Sequence, residues 1–184
     1  MYVSHKLRLI YLAVPRTGSR SVANCLKEHY GAGQVGKDPP RGGHHAIEPK
    51  TLARLTTMRY RVIACVRNPW DILVSWYHHN KNWFGPKFTE FPDFIRRFPV
   101  DRKNVYLENG RMFEMYTKHA SHIIHFESQR QDLARILHVP IPLPHIGASD
   151  RRPYQSYYDE SSREFVAERF SYEIERYGYR FEGE

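Results

Sequence analysis

The chain has 184 residues, 41% of them hydrophobic and 14% aromatic, with a formal net charge of +8. That composition excludes a disordered chain and suffices for one globular domain with a real core. The basic excess favours anionic partners, but basic and acidic residues are interspersed, which speaks against a nucleic-acid binder.

In chain order, Met1 to Arg8 carries charge and no long apolar run, so no secretory signal is expected there. Leu7 to Val14 reads as a buried strand stopped by Pro15. Its apolar part is far below the roughly 20 residues a membrane span needs. A helix follows from Ser19 to Tyr30, with Val22, Cys25 and Leu26 in its apolar stripe and Gly31 ending it. Gly31 to Gly43 holds Gly, Pro and charges and reads as a loop. A short helix is expected over Pro49 to Thr57 and a second buried strand over Tyr60 to Val66. Asn68 then caps a helix that has Pro69 at its first position. Helices are expected over Phe91 to Phe98 and Val105 to Lys118, a third strand over His122 to Phe126, and a helix over Ser128 to Leu137. Val139 to Ser149 is rich in Pro and Gly and reads as a loop. The last helix is expected from Ser162 to Tyr177, with Ser161 and Glu164 as a capping box and Gly178 as its stop. Cys25 and Cys65 sit in apolar stretches and read as buried free thiols, which suits a reducing, cytoplasmic setting.

Strands alternating with helices imply an α/β domain spanning 1–184, with a central parallel sheet flanked by helices in three layers. Ligands bind such sheets at the carboxyl ends of the strands. The segments that carry chemistry lie there, after Val14, Val66 and Phe126.

The first is Pro15-Arg16-Thr17-Gly18-Ser19-Arg20-Ser21. A loop entering a helix presents unpaired amides and the positive end of the helix dipole to an anion. Gly18 permits close backbone approach, Thr17, Ser19 and Ser21 offer hydroxyls, and Arg16 adds a fixed positive charge. The GxxxxGK[ST] pattern of nucleoside triphosphatases is absent. By itself, this segment is equally readable as an ordinary strand-to-helix turn.

The second is Val66-Arg67-Asn68-Pro69-Trp70-Asp71-Ile72-Leu73-Val74-Ser75. Arg67 would emerge at a strand's carboxyl end, and Ser75 lies two turns into the next helix. The two can converge on one phosphate, by charge and by hydroxyl. Asp71, in the first turn, reads as a capping or structural carboxylate.

Together the two segments resemble the 5′- and 3′-phosphate motifs of sulfotransferases that use 3′-phosphoadenylyl sulfate. The likeness is closest to the carbohydrate O-sulfotransferase branch and its small bacterial and phage relatives. In that family a strand runs into Pro-Lys/Arg-x-Gly-Ser/Thr and a helix, and Arg-Asn-Pro-x-Asp is followed by a Ser eight positions after the Arg. The likeness extends to Gly43-His44-His45-Ala46, His125-Phe126-Glu127, Pro144 to Ser149, Tyr157-Tyr158-Asp159 and Ile174 to Tyr179.

The resemblance implies a P-loop-like fold and a set of roles. The loop from Arg16 through Thr17, Gly18, Ser19 and Arg20 to Ser21 would hold the 5′-phosphosulfate, and Arg67 with Ser75 the 3′-phosphate. Arg152, in a late loop with Ser149 and Arg151, would touch phosphate. Relatives often carry lysine where Arg16 stands; arginine keeps the charge but does not readily deliver a proton, so its part would be electrostatic. A histidine base is implied in the Gly-His-His-Ala segment, with His45 aligning best and His44 the fallback. No metal is implied. The implied partner is an acceptor hydroxyl, on a carbohydrate by the branch resembled. Two other classes remain from the residues themselves: a nucleotide kinase of the phosphate-loop type, and a non-catalytic module for anionic polymers.

Overall fold

The structure, a computed structural model, describes residues 1–36, 45–84, 90–98, 107–144 and 151–182, with 80–84 as backbone only. The chain divides into two compact units, one of Met1–Val66 with Tyr116–Gly147 and one of Arg67–Met115 with Ala148–Glu184.

The first unit holds a five-stranded sheet in the order β3-β1-β2-β4-β5. Its strands are β1 (Tyr2–Ser4), β2 (Leu9–Leu12), β3 (Gly33–Gln34), β4 (Arg61–Val66) and β5 (His122–His125). β2, β4 and β5 are parallel, as the alternation of strands and helices requires. β4 is an unbroken apolar run behind Arg61, the pattern of a central strand buried on both faces. One face of the sheet (Leu9, Tyr11, Ala13, Ile63, Cys65, Ile124) packs with Val22, Cys25 and Leu26 of α1 (Ser19–Tyr30) and Leu133 and Leu137 of α6 (Gln129–Leu137). On the other face Ile10, Leu12, Val62, Ala64 and Val66 are equally buried. α1 stops at Gly31, whose left-handed φ of 61° turns its amide back to Leu26 O. α2 (Pro49–Thr57) starts where the Glu48 carboxylate accepts from the Lys50 and Thr51 amides.

The sheet departs from the all-parallel expectation at one edge. β1 folds back antiparallel on β2, and β3 pairs antiparallel with β1. Leu7 falls in the turn between β1 and β2, so the first expected strand begins at Leu9.

The second unit is helical. Asn68 caps α3 (Pro69–Phe84): its Oδ1 accepts from Trp70 N at 3.0 Å and its carbonyl from Ile72 N at 2.9 Å. Its Nδ2 donates to Arg180 O at 2.8 Å. α4 (Phe91–Arg97) feeds an aromatic cluster of Tyr77, Phe91, Phe94, Phe98 and Tyr158. The helix expected from Val105 to Lys118 shrinks to α5 (Glu114–Thr117), which spans the boundary of the two units. Asn109 and Gly110 both take positive φ, and Glu108 pairs with Arg111 across them, so an Asn-Gly turn replaces the helix.

The last helix is two. α7 (Glu160–Arg169) and α8 (Ser171–Tyr177) meet at Phe170, which is buried and non-helical. The capping box is Asp159 with Ser162 instead of Ser161 with Glu164: Asp159 accepts from Ser162 N, and Ser162 Oγ accepts from Asp159 N. Gly178 ends α8 in the left-handed conformation, as expected.

Candidate active site

Beyond the carboxyl end of β2, the chain turns through two left-handed residues, Arg16 at φ 62° and Gly18 at φ 68°. For a non-glycine residue such a backbone costs about 1–3 kcal/mol, and it recurs where loops clamp ligands. Gly18 needs its missing side chain twice over. Besides its φ, a Cβ there would lie 3.0 Å from both Gln129 Oε1 and the Phe126 ring.

Gly18 is the N-cap of α1 and offers no side-chain acceptor, and no acidic residue stands in the first turn. The helix start is therefore positive, through its amides and through Arg16 and Arg20. Ser19 and Ser21 are buried, Arg16 is half-buried and Arg20 is exposed. Thr17 is 0% exposed and its hydroxyl donates inward to Val14 O at 3.0 Å, so the hydroxyl is not a donor to a ligand.

His45 belongs to the same unit. Its Nδ1 lies 2.5 Å from Ala13 O, and its own carbonyl accepts from the Tyr116 hydroxyl at 3.2 Å. The next carbonyl, of Ala46, accepts from the Met1 nitrogen at 2.5 Å. A carbonyl only accepts, so Nδ1 carries the hydrogen and Nε2 carries a lone pair. Burial lowers the pKa of the ring below the usual histidine value; the Ala13 bond opposes this, and the positive charges of Met1, Arg16 and Arg20 add to it. The ring is thus neutral near pH 7. His44 lies outside the described residues.

In the other unit Arg67 is 7% exposed and grips Asp71 with Nε at 2.8 Å and Nη2 at 2.7 Å. Ser75, 3% exposed, follows one helical turn beyond Asp71 on the same face of α3. Arg151 Nη2 takes the second Asp71 oxygen, while its Nη1 is buried with no hydrogen-bond partner among the described residues. Two guanidinium groups therefore share one carboxylate among the described residues. Arg152 is exposed, with its guanidinium 5.4 Å from the Tyr157 ring centroid. Tyr157 also meets His78, hydroxyl to Nε2, at 2.8 Å. Ser149 lies outside the described residues.

One residue of the candidate site was passed over for its neighbour and one was missed. Arg151 and Arg152 are adjacent and chemically alike, so pattern could not choose between them. Gln129 lacks any motif; its one signal is its place just past the carboxyl end of the third strand. Among the described residues no group of three or more His, Cys, Asp or Glu is arranged to hold a metal ion, and no helix is long and apolar enough to cross a membrane.

The family model for the sulfotransferase domain matches residues 39–138, more than half of the 184. The match takes in His45, Arg67, Ser75 and Gln129 and begins after the loop at 15–21. No curated protein sequence and no solved structure matches the chain. A mixed α/β fold with its central strands parallel, positive turns beyond the strand ends, and this match together lead to one assignment: the chain belongs to the sulfotransferase family, whose chemistry is sulfuryl transfer.

Proposed function

We propose that the protein moves the sulfuryl group of 3′-phosphoadenylyl sulfate to an acceptor hydroxyl, on a carbohydrate by the branch its motifs resemble. The observation that carries this reading is His45. Its Nδ1–H is held by the carbonyl of Ala13, two residues before the positive loop, in the tautomer a general base needs.

The donor has an anionic group at each end of its ribose and so needs two anion sites. The loop of Arg16 to Ser21 takes the 5′-phosphosulfate in this reading, and Arg67 with Ser75 the 3′-phosphate. Arg151, whose Nη1 is buried and unpaired among the described residues, stands beside Arg67 in the part expected of Arg152. Selectivity over ATP follows from charged groups that the wrong nucleotide would leave unpaired.

The donor supplies an electrophilic sulfur and a stable leaving group. His45 Nε2 accepts the hydroxyl proton as the acceptor oxygen bonds to sulfur. Arg16 and the loop amides stabilise the negative charge that the bridging oxygen gains as its bond to sulfur breaks. The product nucleotide is adenosine 3′,5′-bisphosphate. Buried free thiols at Cys25 and Cys65 accord with a reducing, cytoplasmic setting.

Calorimetric titration with adenosine 3′,5′-bisphosphate, with ATP as competitor, tests the nucleotide assignment. Turnover is followed as bisphosphate release from the donor across a panel of saccharides. His45→Ala should lower kcat by about 10²–10⁴-fold with bisphosphate affinity intact. Unchanged turnover in that variant rejects the base, and displacement of the bisphosphate by equimolar ATP rejects the donor.

A further inference from the structure

We infer that Gln129 is a positioning residue that aims a backbone amide of the anion-binding loop; the inference rests on the nucleotide reading above. Gln129 is the first residue of α6, just past β5, and is 6% exposed. Its Nε2 has two hydrogens and both are placed: one donates to Thr17 O at 2.9 Å, the other to Cys65 Sγ at 3.2 Å. Its Oε1 fills the space that a Cβ on Gly18 would need.

The consequence follows from peptide geometry. In a planar trans peptide, the carbonyl of Thr17 and the amide N–H of Gly18 point in opposite directions. Gln129 holds that carbonyl on the buried side, so the Gly18 N–H points away from the core. The residues flanking Thr17, Arg16 and Gly18, both have positive φ, and a peptide between such residues is shaped by what it is bonded to. Gln129 thus sets a donor for the 5′-phosphosulfate without touching it. Its removal would leave a buried carbonyl unpaired, and rotation of the peptide would relieve this at the expense of the donor's direction.

A purely structural part for Gln129 predicts something else, and two nucleotides separate the cases. Adenosine 3′,5′-bisphosphate uses both anion sites, whereas adenosine 3′-monophosphate lacks the 5′ group. Gln129→Met is neutral, similar in volume and has no donor. With the whole protein, it should weaken bisphosphate binding about tenfold, the size of one lost charge-assisted hydrogen bond, and leave 3′-monophosphate affinity unchanged. Should Gln129→Met fail to fold, as judged by circular dichroism, Gln129→Asn reads the same ratio, its amide falling one methylene short of Thr17. Equal losses for the two nucleotides, or no loss, overturn the positioning role while the nucleotide reading stands. A wild-type protein that does not bind the bisphosphate overturns both.

Discussion

His45 combines two features that a proton acceptor needs at neutral pH: a tautomer fixed by Ala13 O and a pKa below the usual histidine value. Burial disfavours the imidazolium, and so do the neighbouring positive charges, so the ring stays neutral as pH falls through the ordinary value of about 6.5. The acid limb of kcat/KM should therefore have its midpoint below that value. Arg16→Gln removes one of the repelling charges, so the limb should move up toward neutrality, read independently of the lower overall rate. A pH–rate profile of both proteins checks this, and an unmoved limb in Arg16→Gln would mean that the ring does not feel Arg16. At this scale much of the candidate site was legible. Arg16, Gly18, His45, Arg67 and Ser75 all stood in recognisable spacing. What pattern could not supply was direction: the inward turn of the Thr17 hydroxyl and the inward arginine of the Arg151–Arg152 pair are set by tertiary packing.

Among the elements, α3 depends most visibly on one residue. Asn68 serves as its cap through Oδ1 and also holds Arg180 O through Nδ2. Asn68→Ala removes both bonds at a buried position, so urea denaturation should report a loss of about 1–3 kcal/mol. A loss below a few tenths would mean that the helix start is held by its neighbours instead. The Asn-Pro pair made this helix start readable, as Gly31 and Gly178 did for two helix ends. β5, at the sheet's edge among the described residues, offered only Ile123 and Ile124, whereas β2 and β4 were readable because buried parallel strands are continuous apolar runs. β1 and β3 were not: three and two residues are too short for any periodicity to register. The break between α7 and α8 has no Gly or Pro to mark it, and the buried Phe170 side chain sits at the junction. The Asn109-Gly110 turn was marked in the sequence by its residue pair, yet a helix was expected across it.

For the molecule as a whole, each compact unit presents positive groups of its own, the loop and α1 start in one and the Arg67–Asp71–Arg151 cluster in the other. A ligand that binds only the folded chain stabilises it by mass action. Adenosine 3′,5′-bisphosphate at a hundred times its Kd should add about 2.7 kcal/mol, seen as a raised Tm, and adenosine 5′-monophosphate at the same concentration should add less. Equal shifts from the two would mean that the 3′ group is not recognised. The place of Ala13 carries a mechanical consequence. It follows directly on β2, a strand bonded on both sides within the sheet, and it anchors the histidine ring while leading two residues later into the loop. The proposed base and the proposed anion-binding loop thus share one attachment at this strand tip. Displacement of that strand tip should therefore carry both along together, which limits the change in the gap between them compared with parts mounted on separate supports.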